Sequence, residues 1–427
     1  MVQKVRRVFF GWWVISAAFC IFMMIGGITL YGFTAFFNPI LNEMGWSRTQ
    51  ASLANSLRSI EGGLTQPFIG FFIDRFGARK CIFVGLLFVG TSLILMSRLS
   101  SLITFYLTFL LLSFGHGLGV GNAEYSAASN WFKRRRSLAL GIVASGFGFS
   151  GLMTPVIITL ISNYGWRNAL LILGPATLAI GLPLSLLIRH KPEPYGLTPD
   201  GDTAPDPQSQ SMSTSPAATA QTSTMAGPAS EGLTVKECLA TRTFWLLVLF
   251  SLFCGFAQSA MIIHIMPALI SYGIPQGVAG WAVTGMTGFS LIGRLGLSYA
   301  GDKFDKRKVL AFAAAIEAIG ILIFANISAT WMIFPFLLFY GPGQGALIPL
   351  IPAIQADSFG MKSFATVRGL LFSGMLLPGV VAPIFAGWIY DTQGSYRLAF
   401  MLYAAICVLA VPTIFMINKH RKETATS

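Results

Sequence analysis

Gly70–Lys80 reads GFFIDRFGARK and Ser298–Lys308 reads SYAGDKFDKRK. Asp74, Arg75, Phe76, Arg79 and Lys80 match Asp302, Lys303, Phe304, Arg307 and Lys308 at a constant offset of 228. The same offset pairs Gly141 with Gly369 and Pro155 with Pro383, and Trp166-Arg167 answers Tyr396-Arg397 at 230. A register kept over most of a half-chain means that one architecture is built twice. Each charged turn closes an apolar stretch, so each reads as the exit of a membrane span.

The surrounding composition agrees. The 427 residues are 54% hydrophobic and 11% charged, with mean hydropathy +0.68. Soluble domains carry about 25% charged residues, so this is a membrane chain. It has room for a dozen spans of about 20 residues. The expected spans are 9–38, 50–72, 81–98, 102–130, 137–162 and 167–189, then 243–271, 277–301, 308–327, 331–356, 366–390 and 395–417. The fold class is therefore all-α integral membrane, with twelve transmembrane helices in two six-helix bundles. The expected domains are an N-terminal bundle over 1–190, a cytoplasmic linker over 191–241 and a C-terminal bundle over 242–427. Pro192–Leu233 is rich in Ser, Thr, Ala, Pro and Gln and cannot bury a core, so apart from its ends the linker should be disordered. Spans related in parallel imply two bundles that rock around a midplane site. No cleavable signal is evident, because the apolar stretch from Phe9 is too long for one.

A net charge of +13 does not point to nucleic acid, because its distribution follows the membrane. Of 29 Lys and Arg, 23 fall at the termini or in alternate loops. The other loops hold only Arg48, Arg98, Arg167 and Arg397, and the remaining two cations, Arg58 and Arg294, lie within spans. That bias places both termini in the cytoplasm. The five cysteines show no metal spacing, and no metal or cofactor is expected. There is no GxSxG, Walker A loop or HExxH, so neither catalysis nor ATP-driven pumping is expected.

GFFIDRFGARK resembles the signature of the major facilitator superfamily, G-x-x-x-D-R-x-G-R-K. Within that family the chain is similar to the branch of monocarboxylate transporters and oxalate–formate exchangers. FFGWW resembles the branch's opening of span one, and WFKRRRSLALG its entry to span five. RHKPEPYGLTPDGD resembles a PE-x-x-GL-x-PDGD stretch of bacterial relatives. The resemblance implies the major facilitator fold and a cytoplasmic gate made by Gly70, Asp74, Arg75, Gly77, Arg79 and Lys80 with Asp302, Lys303 and Arg307. It implies that Arg294 is the substrate-binding arginine of span eight. Three positions depart from the branch. Ser290 stands where mammalian-type members carry an aspartate, Tyr31 where they carry a lysine, and Met375 where oxalate exchangers carry one. One cation within the path matches one carboxylate better than two.

The residues argue for Arg294 on their own. A cation inside an apolar span costs about 3 kcal/mol or more and faces a cavity or a partner. Its guanidinium offers a rigid fork that fits a carboxylate. Thr287, Ser290, Arg294 and Ser298 share one helix face. At about 1.5 Å per residue Arg294 stands about 12 Å from Asp302, and Asn122 about 16 Å from Lys133, so the two lie at similar depth. Asn122, Tyr125, Ser126 and Ser129 share a face that either holds substrate or bonds a neighbouring helix. Tyr340 and Gln344 flank the broken stretch YGPGQG and could complete a carboxylate site. Glu124 and His264 are the candidates for proton coupling. Arg58 and Glu61 read as a self-contained pair, and Glu317 as structural.

The expectation is a secondary transporter in the cell (inner) membrane, working as a monomer on a small carboxylate, with protons as the candidate coupling ion. The alternatives are a carboxylate exchanger of the oxalate–formate type, an exporter of drugs or metabolites, and a non-transporting carboxylate sensor. The sequence leaves substrate, direction and symport against exchange open.

Overall fold

The computed structural model describes residues 9–31, 33–46, 48–201 and 232–417, almost all of them helical. The first half runs α1 Phe10–Gly26, α2 Phe33–Met44, α3 Arg48–Phe76, α4 Ala78–Met96, α5 Leu102–Gly119, α6 Asn122–Trp131, α7 Arg136–Phe149 and α8 Met153–Leu187. The second runs α9 Val235–Ala240, α10 Arg242–Ser271, α11 Gln276–Ile292, α12 Ser298–Lys303, α13 Lys306–Ala325, α14 Ile333–Phe359, α15 Phe364–Gly374, α16 Leu376–Gln393 and α17 Arg397–Phe415. Among the described residues, nine helical stretches are long and apolar enough to cross a membrane. One of them, Arg136–Leu187, turns at Gly165 (φ 77°), where only glycine is comfortable. α3 and the stretch through α11 and α12 are not among the nine. They carry Arg58, Glu61 and Arg294.

Buried apolar residues fall into two cores. One runs from Val14 to Ile188 and is joined by Ala353, Ala356, Phe364 and Ala365, and the other runs from Cys238 to Ile417. The outer surface is apolar as well: Trp281 is 76% and Trp331 72% exposed, which suits lipid and not water.

The halves meet across two helix crossings, and these repeat the sequence register in space. A Cβ on Gly70 would stand 2.2 Å from the carbonyl oxygen of Ala365 in α15. One on Gly369 would stand 2.3 Å from the carbonyl oxygen of Gln66 in α3. In the mirrored crossing, a Cβ on Gly141 in α7 would stand 2.1 Å from the carbonyl oxygen of Arg294. Gln66 and Arg294 are themselves 228 residues apart, as are Gly369 and Gly141. Backbone lies directly on backbone here, and the glycines are what allow it.

Past each crossing an aspartate caps a helix of the other half. Asp74 accepts from the amides of Ala365 (3.0 Å) and Thr366 (2.8 Å) and from the Thr366 hydroxyl (2.6 Å) at the start of α15. Asp302 accepts from the amides of Ser137 and Leu138 (both 2.8 Å) at the start of α7. A carboxylate at a helix N-terminus meets unpaired N–H groups and the positive end of the dipole. Arg136 adds a bridge to Asp357 (2.6 Å), which also holds Lys306. The basic residues expected beside the aspartates are placed differently. Arg75 and Lys80 are exposed and Arg79 half-buried, Lys303 lies over the Tyr299 ring, and Arg307 pairs with Asp305 and donates to the Ile417 carbonyl. At this end the carboxylates engage main chain across the halves.

The start of the linker is ordered. Arg189 lies between the rings of Phe10 (4.1 Å) and Tyr195 (3.9 Å), and its carbonyl accepts from the Trp131 indole (2.7 Å). The His190 ring accepts at Nδ1 from the Ala78 amide (3.2 Å), capping α4 after the positive-φ turn at Gly77. The end of the linker is ordered too. The Leu233 amide bonds the Phe359 carbonyl, and Thr234 and Glu237 form a capping box for α9. Residues 202–231, the stretch expected to be disordered, lie outside the described residues.

Two outcomes follow from this packing. Gly141→Ala and Gly369→Ala each put a methyl group into a backbone oxygen, an overpacking of about 1–3 kcal/mol. Each should raise maleimide labelling of a cysteine introduced at buried Ser137 roughly tenfold or more, in a background without the native cysteines. His190 gives a pH signature. Burial lowers its pKa to about 4, so the unfolded chain takes up the proton first. Its contribution is complete above the ordinary histidine range and is lost as pH falls from about 6.5 towards 4. Thermal unfolding in detergent should show that loss, and His190→Ala should flatten it.

Candidate functional site

Arg294 lies on a π turn, Gly293–Leu297, between α11 and α12. Such turns insert one residue into a helix and redirect a side chain, and they concentrate at functional sites. The turn is pinned from behind, because Gly293 lies against the carbonyl of Pro342 and Gly345 against that of Ser290. This gives YGPGQG a physical role: its small residues let α14 support the wall that carries the arginine. Arg294 is 3% exposed, and its Nη1 donates to the Ala144 carbonyl of α7, in the opposite half, at 2.6 Å. Its guanidinium also faces the Phe147 ring at 5.5 Å.

Facing it, span four is broken. α5 ends at Gly119, Val120 is extended, Gly121 takes φ 88°, and α6 restarts at Asn122. The expected span 102–130 is thus two helices. The break places Asn122, Glu124 and Tyr125 on the first turn of a new helix within the protein, where free N–H groups favour anions. Asn122 donates to the Gln66 side chain at 2.8 Å. Glu124 is wholly buried, and among the described residues the Tyr125 hydroxyl has no hydrogen-bond partner.

The Tyr125 ring is covered by the guanidinium of Arg368 at 4.5 Å. Arg368, grouped above with the loop cations, stands inside α15 at the interface between the halves, so the count of cations within the path rises. Its neighbour Gly369, fixed in a crossing by the 228 register, could have shown this from sequence. Gln66 was missed as well. It is the repeat mate of Arg294, and applying the offset to Arg294 would have found it.

Other expected residues lie elsewhere. Ser290 is buried and donates to the Thr287 carbonyl of its own helix (2.7 Å). Tyr340 stacks on Phe336 in the C-terminal core, and Gln344 is half-buried on α14. His264 makes a hydrogen bond with the Pro383 carbonyl at 2.9 Å, against the Tyr396 ring. Glu317 accepts from Gln258 (3.0 Å) within the C-terminal core, beside Cys254 and Cys407. Arg58 donates to the Thr29 carbonyl (3.1 Å), and Glu61 accepts from Thr65 and Ser113. The side chain of Tyr31 lies outside the described residues. The structure thus gathers Arg294, Arg368, Tyr125 and Asn122 along the meeting surface of the halves.

Comparison with known proteins agrees with this architecture. Monocarboxylate transporter 12 of Rattus norvegicus is 26% identical over 405 residues, covering 92% of this chain and 82% of the relative. The uncharacterized MFS-type transporter YcxA of Bacillus subtilis is 24% identical, covering 89% and 87%. Among solved structures, the human organic anion transporter MFSD10 (TETRAN) superposes with a TM-score of 0.71 at 13% identity, covering 95% of this chain and 99% of that one. The family model for the Major Facilitator Superfamily matches residues 14–270 and 248–427. With a helical body of two related halves and a family match along nearly its whole length, the chain is a multi-pass membrane transporter that belongs to the Major Facilitator Superfamily.

Proposed function

We propose that the chain carries small monocarboxylates such as lactate or pyruvate by alternating access, with Arg294 binding the carboxylate. The observation that carries this reading is the Arg294–Ala144 bond. A buried guanidinium that joins the two halves through a main-chain carbonyl can exchange that partner for a substrate carboxylate as the halves move. Asn122 and Tyr125, on the opposite half, orient the bound acid. Ser290 lines the approach, and Tyr340 and Gln344 support the wall behind it. The similarity to a monocarboxylate transporter supports the substrate class. Glu124 carries the coupled proton, as a carboxyl wholly buried on the first turn of α6, next in the chain to Tyr125. His264, held by a backbone carbonyl, is the weaker candidate. With one proton per monocarboxylate, transport is electroneutral.

In this reading the twelve crossings divide into bundles over 1–190 and 242–427, joined by the linker over 191–241. Both termini and the Asp74–Asp302 gate face the cytoplasm, the membrane is the cell inner membrane, and one copy suffices. A second reading draws on Arg368. Two cations at one interface favour an anion with two carboxylates, moved by exchange.

The test is uptake of labelled lactate and pyruvate into proteoliposomes, with and without an inward proton gradient. Gradient-stimulated uptake is expected. Arg294→Ala should lower it roughly a hundredfold, and Arg294→Lys at least about tenfold, because the planar fork is lost. Undiminished uptake in Arg294→Ala would sink the assignment. Uptake that needs internal oxalate would select the exchanger.

A further inference from the structure

The stretch PEPYGLTPDG has no part in the transport reading, yet it ends in a strained residue. Asp200 (φ 62°) is the only non-glycine with positive φ among the described residues. Such a conformation costs free energy and persists where the surroundings impose it. Here Gly196 and Gly201 turn the chain on either side, Arg189 stacks on Tyr195, and Gly201 lies against Phe9. The effect is to aim one carboxylate oxygen at a single target. Asp200 Oδ2 accepts from the amides of Lys133 (3.0 Å) and Arg134 (2.8 Å).

Those amides belong to the turn that also supplies the gate. Three residues further on, Ser137 and Leu138 donate to Asp302 of the opposite half. Between the two sites, Arg136 bonds the carbonyls of Phe132 and Ser129 and the carboxylate of Asp357. The turn is thus held on one side by its own half and on the other by the moving half. In the second half the equivalent turn is held by other means, the Leu233 amide on the Phe359 carbonyl and the Gln355 amide on the Phe364 carbonyl.

We propose that Asp200 is a positioning residue of the gate. It fixes the turn Lys133–Leu138 in the shape that Asp302 docks onto, and it keeps that shape while the halves are apart. When the halves separate, Asp302 leaves and two N–H groups of the turn lose their acceptor. The Asp200 bonds do not cross the halves, so they survive the change. A turn already ordered gives up little backbone entropy on reclosing. Asp200 therefore biases the transporter towards the state closed at this end. The inference does not depend on which substrate is carried.

The experiment uses the full chain in nanodiscs, spin-labelled at Lys80→Cys and Lys308→Cys in a background without native cysteines. These two exposed sites lie on opposite halves beside the gate. Asp200→Gly keeps the positive φ but removes the cap, whereas Asp200→Asn tolerates that φ and retains an acceptor. Pulsed distance measurements should show Asp200→Gly lowering the closed-to-open ratio roughly fivefold, the size of a lost helix cap. Asp200→Asn should stay within about twofold of the parent, and Asp302→Ala gives the reference for a lost gate. Hydrogen exchange of the unmodified protein supplies a second reading that needs no variant. Protection of the Lys133 and Arg134 amides should persist under conditions that open the gate and expose Ser137 and Leu138. An unchanged distance distribution in Asp200→Gly overturns the proposal, even with a lowered melting temperature. So does exchange of all four amides together.

Discussion

The interaction on which the structure depends is a carboxylate of one half meeting the main-chain N–H groups of the other. Asp74 and Asp302 each end a helix in their own half and begin one in the opposite half. Hydrogen bonds to a charged group net about 1.5–3 kcal/mol each. Two caps therefore close this end by an amount that binding energy can offset. The crossings of Gly70, Gly141 and Gly369 bring the helix ends close enough for the caps to form. A closure much stronger than this would hold the transporter in one state.

Much of this was legible in the sequence because it was written twice. The 228-residue register located both aspartates and paired Gly141 with Gly369 before any coordinates. What it did not reveal was the partner. The charged turns suggested side chains clamping side chains, while the aspartates bind amides that every residue except proline possesses. The break at Gly121 was hidden for a related reason. A glycine-rich stretch is compatible with both a tightly packed helix and an interrupted one, and tertiary packing decides between them. Arg368 was obscured by its place one turn inside a helix, close to the end of a span. Hydropathy also underrates α3 and the helix of Arg294, whose polar and charged groups lower the average.

The site is asymmetric within a symmetric frame. At equivalent positions of the two repeats stand Gln66, bonded to Asn122, and Arg294, bonded to the Ala144 carbonyl. Duplication supplied two matching walls, and Arg294 gives one of them a charge where the other has an amide. Opposite it, the restarted helix α6 presents neutral donors and a buried carboxyl. A binding surface with fixed charge on one wall and adjustable charge on the other suits a carrier that must release what it binds.

Because the aspartates are held mostly by main-chain donors, with the Thr366 hydroxyl the one side-chain addition, most partner positions keep these bonds under almost any substitution except proline. Ser137, Leu138 and Ala365 can be replaced without a compensating change at Asp74 or Asp302. A search for residue pairs that change together would pass over this contact, although it joins positions 291 and 165 residues apart in the chain. The aspartates themselves would stand out as fixed, and their opposite numbers as free.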